Sequence, residues 1–408
     1  MRVSYILLVV GAAACSSAAT PRESLFAELK GPAGPRSGEP FLSVDARDRL
    51  HMTWLEQTGE STFAVRYARL DDSTWSAPST IAERTDLFVN WADFPAVVAS
   101  PSGRLVAHWL QRSGAGKYAY DARVAQSVDD GRTWSAGRRL HTDSAGASEH
   151  GFVALWTSGP DQVHAAWLDG RDMSGGHGES RGAMSLRYTS IGPDGATGRE
   201  DALDLRTCEC CQVNAAVGAS GPIVVYRDRS ESDTRDIAVV RTVGGVWASP
   251  APVHNDGWHV EGCPVNGPAV AAHGDTAVVV WFTGAQDTAR VRVAWSMDGG
   301  ATFGPPVRVD GGSPAGRVDV ELLPDGSAAV VWLERVSPER GDVRLRRVGA
   351  GGALGTMVTL ASTPVARPAG FPKLVRRGRD LIAAWTVPGD SSRVRLARMA
   401  TSRLPALP

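Results

Sequence analysis

Seven short apolar runs along this chain each end on a large aromatic residue. These are Trp54, Trp109, Trp167, Tyr226, Trp281, Trp332 and Trp385, separated by 55, 58, 59, 55, 51 and 53 residues. Runs such as Ala277-Val278-Val279-Val280-Trp281 and Ala328-Ala329-Val330-Val331-Trp332 are short and β-rich, so the repeating unit is a strand and not a helix. A period near fifty residues built from strands marks a radial array of sheets. The repeat predicts an all-β, seven-bladed β-propeller of four-stranded antiparallel blades. Six blades is the alternative if one repeat is irregular. A propeller offers one central pocket, which is where function is expected.

Each repeat follows one pattern. An opening strand such as Phe94-Pro95-Ala96-Val97 leads through a Gly or Asp turn into the aromatic-bearing strand. A third strand with period-two alternation follows, as in Val291-Arg292-Val293-Ala294-Trp295, and then a short fourth strand after a Trp or Phe. The seventh repeat supplies only three strands, around Leu374, around Ile382 and over Arg393 to Met399. The strand-like segment Ser24 to Leu29 precedes the first repeat. It is expected to close the ring as the outer strand of the last blade, covering an edge that would otherwise be open to aggregation. Residues 24–400 then form a single domain, followed by a tail over 401–408.

The N-terminus reads as targeting. Arg2, the apolar run Ile6 to Val10 and then Ala12-Ala13-Ala14-Cys15 resemble a bacterial lipobox, with the apolar run too short to span a bilayer. Residues 1–14 are expected to be a lipoprotein signal peptide, and residues 15–23 a lipidated Cys15 and its tether. The alternative is an ordinary cleaved signal with an incidental cysteine. The expected location is the bacterial cell envelope, extracytoplasmic, with membrane contact through the N-terminal lipid only. The net charge of −1 gives no electrostatic case for nucleic acid. A monomer without cofactor is expected. Beyond Cys15 the chain has Cys208, Cys210, Cys211 and Cys263, and an even number in an exported protein favours disulfides. A thiolate metal site and a redox-active pair are the alternatives.

Two segments share a tighter motif: Ser127-Val128-Asp129-Asp130-Gly131-Arg132-Thr133-Trp134 and Ser296-Met297-Asp298-Gly299-Gly300-Ala301-Thr302-Phe303. Both match Ser-x-Asp-x-Gly-x-Thr-aromatic, and here the chain resembles the sialidase superfamily with its Asp-box (BNR) repeats. Over nearly its full length it is similar to bacterial sialidase-like lipoproteins, through Trp167-Leu168-Asp169-Gly170-Arg171, Cys208-Glu209-Cys210-Cys211-Gln212, Tyr226-Arg227-Asp228-Arg229-Ser230 and Gly262-Cys263-Pro264-Val265-Asn266. The resemblance implies that the boxes are structural and lie on the face away from the site.

Registered against the repeat, the unusual residues fall in the loops before first strands and after second strands, which share one face. The arginines there suit a carboxylate or phosphate group, because guanidinium forks bind such groups bidentately. Sialidases use three arginines on the sialic acid carboxylate, so Arg171, Arg227 and Arg317 are the set the resemblance implies. Arg229, Arg235 and Asn266 are further ligand candidates. Asp169, Asp228, Asp319 and Glu334 are the candidate catalytic carboxyls, whose separation would decide retention or inversion. The competing reading is that these groups form loop-stabilising ion pairs. The chain departs from the sialidase pattern in lacking a Phe-Arg-Ile-Pro-like segment in the first blade and any Tyr after Tyr226. Tyr226 itself occupies a Trp position and is expected in the core. The sequence therefore points to a propeller that binds, and in an exo-sialidase-like reading hydrolyses, an anionic carbohydrate. The alternatives are a non-catalytic extracytoplasmic scaffold and, behind it, a cysteine-based metal or redox protein.

Overall fold

The computed structural model describes residues 25–173 and 182–408, so Cys15 and the targeting segment lie outside the described residues. The chain forms seven antiparallel sheets arranged as the blades of a propeller. Their innermost strands are Ser37–Val44, Ala96–Ala99, His150–Ser158, Asn214–Gly218, Ala269–His273, Pro314–Leu322 and Lys373–Arg377 for blades 1 to 7. Each inner strand contacts the next, and the seventh returns to the first. Blades 1 and 4 carry an extra two-residue strand. Blade 7 is completed by Ala27–Leu29, which pairs with Arg393–Ala400 in the register Leu29 to Leu396. The closing strand is the one expected from the sequence.

The seven repeat aromatics are all buried, with Trp54, Trp167, Tyr226, Trp281 and Trp332 fully so. They fill the space between neighbouring sheets, where a large flat side chain removes the most apolar surface from water. Tyr226 occupies its Trp position as expected and donates its hydroxyl to Asp204 at 2.5 Å. Opposite six of the seven, on the third strand, stands an arginine: Arg66, Arg123, Arg187, Arg292, Arg344 and Arg395. A buried indole also needs an acceptor for its N–H. Three repeats supply it two residues later. Trp54 donates to Glu56 at 3.2 Å, Trp167 to Asp169 at 2.8 Å and Trp332 to Glu334 at 2.5 Å.

The inner strands are edges facing the channel, and polar side chains bridge them to the next blade. Ser43 donates to the Val97 carbonyl, Asn214 accepts from Val270 N–H and Asp319 accepts from Leu374 N–H. Asp93, just before the inner strand of blade 2, accepts from Phe152 N–H of blade 3. These contacts satisfy edge groups that would otherwise seek another partner.

The Asp boxes lie between third and fourth strands, at the end of the ring opposite the rim loops. In each, the Asp carboxylate accepts from the Thr N–H at 2.9 Å and from the Thr hydroxyl. The Ser hydroxyl takes the Gly N–H. Gly131 has φ of 82° and its α-carbon faces the Tyr67 ring, leaving no room for a Cβ. The boxes are turn-building devices.

Candidate functional site

A cavity lies on the ring axis, at the end where the inner strands begin. That is the rim on which the sequence gathers its unusual residues. Its wall carries Phe41, Phe94 and Phe371, contributed by three different segments. Phe41 and Phe94 stack at 6.1 Å, and Trp91 stacks on Phe371 at 5.8 Å. Gln212 and Asn214 add amide groups. Lys373 is the single charged side chain lining this cavity among the described residues. Its ammonium lies 3.7 Å from the Phe94 centroid, 5.9 Å from Phe41 and 6.0 Å from Phe371. Burial lowers its pKa to about 8, against the opposing pull of the Asp319 carboxylate. A cation over ring faces in a low-dielectric pocket is a strong point of attraction for an anion.

The arginine set expected from the sequence is not brought together there. Arg227 is 1% exposed, and its guanidinium donates to the carbonyls of Asn266, Arg235 and Phe282 while lying 4.8 Å over the Trp258 ring. Arg317 donates to the carbonyls of Val365, Ala366 and Gly370 and lies 4.7 Å over Trp91. Arg171 is bound to Asp169 and Glu200. Arg229 and Arg235 both clamp Glu209. Asn266 accepts from Arg317 N–H with its side chain and from Arg227 with its carbonyl. None of these six residues lines the cavity. Most of their donors already meet internal acceptors that tie the rim loops to the scaffold. The loop-stabilising alternative describes them.

The four candidate carboxyls fare similarly. Asp169 is fully buried; burial alone would raise its pKa, yet bonds from Arg171 and Trp167 and the nearby His150 hold it below the usual range. Glu334 accepts from Trp332 and from Gly311 and Ser313 N–H. Asp319 is the edge staple to blade 7, with burial raising its pKa. Asp228 is raised to about 6 by burial and lines a separate groove beside Asp236. Three of the four are therefore tied to the scaffold, and the fourth stands away from the axis. No pair faces a common space in the central cavity.

Cys208, Cys210, Cys211 and Cys263, where disulfides are expected, stand unbridged. Cys208 Sγ lies 3.4 Å from Cys211 Sγ and 4.0 Å from Cys210 Sγ, far beyond the roughly 2.05 Å of an S–S bond. The loop does bring Cys263 of the next connection to Cys210, as a link between neighbouring blades requires.

Two features escaped the sequence reading. One is Lys373. The other is a buried cluster at the start of blade 3, where His141 and His150 stack at 3.5 Å with rings 7° apart. His150 Nε2 lies 3.2 Å from Asp143 and His141 Nε2 lies 3.4 Å from Asp121. The ligand atoms of Asp121, His141 and His150 all lie within 4.8 Å of one another, with the two rings parallel. Burial, with His150 adding to it, lowers His141 to about 3, so its ring is neutral at neutral pH. Nearby, Tyr120 donates to Glu149 at 2.5 Å but is fully buried against Phe88, and burial raises its pKa, so it is closed to a ligand.

A family model described as a BNR repeat-like domain matches residues 48–254. No sequence among curated proteins matches the chain. Among solved structures, the α-L-arabinanase of Penicillium chrysogenum complexed with arabinobiose is similar with a TM-score of 0.51. It shares 13% identity, over 93% of this chain and 99% of that one. The α-L-arabinofuranosidase of Fusarium graminearum with an iminosugar inhibitor gives a TM-score of 0.50 at 13% identity, over 93% and 98% of the two chains. The NanB sialidase of Streptococcus pneumoniae gives 0.46 at 12% identity, over 90% and 69%. At these identities the likeness describes the fold.

Proposed function

The chain belongs to the family of BNR repeat-like domains, and from that membership we propose that its central cavity binds an anionic carbohydrate. The observation that carries this reading is the Lys373 ammonium, held among Phe41, Phe94 and Phe371 as the cavity's single charged group among the described residues. Aromatic faces suit the C–H face of a sugar ring, the ammonium suits its carboxylate or sulfate, and the amides of Gln212 and Asn214 suit its hydroxyls. That the Penicillium arabinanase, of similar fold, is described with a bound disaccharide supports the fold's capacity for such a ligand. The reading is one of binding, because none of the candidate carboxyls lines the cavity. We place the protein in the cell envelope, exported and lipid-anchored at Cys15. Metabolic labelling with a radiolabelled fatty acid, lost in Cys15→Ala, tests that part.

The experiment for the cavity is calorimetric titration of the full chain with matched acidic and neutral oligosaccharides, such as sialyllactose and oligogalacturonate against lactose. Acidic sugars are expected to bind, and Lys373→Met is expected to weaken them by more than about tenfold, the loss of one charge-assisted contact. Equal binding of neutral sugars, or acidic binding untouched in a folded Lys373→Met protein, sinks the proposal.

A further inference from the structure

The cysteine loop at the junction of blades 3 and 4 has a geometry that neither its sequence nor the cavity explains. We propose that Cys208, Cys210 and Cys211, completed by Cys263 from the connection between blades 4 and 5, hold one soft thiophilic d10 cation, zinc(II) or copper(I).

The sulfurs of Cys208, Cys210 and Cys211 all lie within 4.8 Å of one another, and all three residues are buried. With zinc–thiolate bonds of about 2.3 Å, tetrahedral ligands stand about 3.8 Å apart. The separations of 3.4 and 4.0 Å fall on either side of that value, whereas a disulfide demands about half of it. Cys263 approaches Cys210 from the neighbouring connection, giving a fourth sulfur from a separate loop. Three buried cysteines on one tight turn, with an exposed fourth contributed from a separate loop, supply sulfur donors, the type that selects soft ions.

The surroundings are those of an anionic sulfur site. The Arg235 guanidinium donates to Cys208 Sγ at 3.2 Å, and the Asn266 N–H donates to Cys211 Sγ at 3.4 Å. Donors of this kind stabilise metal-bound thiolates from outside the ligand shell. Glu209, between the cysteines, is buried and clamped by Arg229 and Arg235, which engage its carboxylate. On binding, each ligand thiol gives its proton to solvent and forms one metal–sulfur bond. No electron is transferred, and no oxidant is needed. The centre would pin the loop carrying Gln212, and so one wall of the central cavity, to the connection ahead of blade 5.

The test uses the full chain, exported and purified without reductant or chelator. Its metal content, its intact mass under non-reducing conditions and its titration with zinc(II) alone and with copper(I) alone are measured. One metal ion per chain with all four cysteines at the thiol mass is the expected result, and the titration that saturates at one equivalent identifies the ion. Cys211→Ser is expected to lower affinity by more than the roughly 10–100-fold lost with a supporting residue. Because that variant can fail to fold, cobalt(II) is added to the metal-free wild-type chain, where intense thiolate-to-cobalt absorption is expected. Two disulfides with no metal, saturation with neither ion, or cobalt spectra without thiolate bands overturns the proposal. These readouts involve no carbohydrate, so failure here leaves the cavity reading standing and the reverse.

Discussion

The ammonium of Lys373 lies 3.7 Å from the centre of the Phe94 ring, on the wall of the propeller's axial cavity. A lysine placed there has two stable ways to exist: paired with an incoming anion, or partly neutralised. Its pKa of about 8 says that the apo protein keeps it charged at neutral pH and loses the charge on modest alkalinisation. Affinity for an acidic sugar is therefore expected to fall as pH rises through about 8, while affinity for a neutral sugar stays flat. The same shift bears on stability. The unfolded chain holds the proton up to the free lysine value of 10.5, so between about pH 8 and 10.5 the unfolded state binds more protons and this group's contribution to stability rises with pH. Thermal melts of wild type and Lys373→Met across that range check the sign, since the rise should be absent in the variant.

Arg227→Ala is expected to damage the fold and not a binding step. Its removal orphans buried carbonyls of Asn266, Arg235 and Phe282. The cost is put at about 3–5 kcal/mol, as for other broken buried charge networks. Denaturant unfolding measures it. A well-folded Arg227→Ala protein with lost sugar binding would return Arg227 to the ligand set.

Glu334 serves the indole of Trp332 and two backbone N–H groups at once. Glu334→Gln keeps an acceptor oxygen and is expected to cost little. Glu334→Leu leaves a buried indole N–H without a partner, a loss of about 1–3 kcal/mol for that group alone. The difference between the two variants in chemical denaturation isolates the acceptor from the packing.

Two glycines with similar backbone angles separate strain from space. Gly103 has φ of 98° with nothing near its would-be Cβ, whereas Gly131 at 82° faces the Tyr67 ring. Gly103→Ala is expected to cost about 1 kcal/mol from the backbone alone. Gly131→Ala adds overpacking of about 1–3 kcal/mol. Equal losses in the two melts would refute this division.

His108 is 1% exposed, and burial alone lowers its pKa to about 3. The unfolded state takes up a proton below its ordinary value of 6.5, so stability is expected to fall as pH drops from about 6.5 to 3. His108→Leu should flatten that acid limb in urea midpoints measured across the range.

The architecture was readable because the aromatic repeat reports blade spacing directly. Each of the seven positions faces a sheet interface, and a chain that must fill such gaps shows it in its period. The missing fourth strand of the last repeat located Ala27–Leu29 by the same count. The site was less readable because a residue's type does not reveal its acceptors. Arg227 sits on a rim loop as expected, yet its partners Asn266 and Phe282 stand 39 and 55 residues away and present only carbonyl oxygens. The Trp-x-carboxylate spacing at Trp167-Leu168-Asp169 and Trp332-Leu333-Glu334 was visible, but its meaning depends on the indole nitrogen pointing back at the acid. Lys373 left one faint trace. The chain has three lysines among 43 basic residues, and this one opens an inner strand directly after an aromatic turn. Its aromatic neighbours come from blade 1, the segment before blade 2 and the segment before blade 7, an assembly that no local pattern encodes.

The pairing of Leu29 with Leu396 imposes an order on the life of the molecule. Residues that leave the ribosome early must wait, unpartnered, until nearly all the rest has been made before their strand has anything to join. Contacts of such sequence separation form late and slowly. A chain that stays open until its last blade exists can be kept threadable during synthesis. Any pull on the segment ahead of Ala27 would then be borne first by the shortest strand of the ring's final blade.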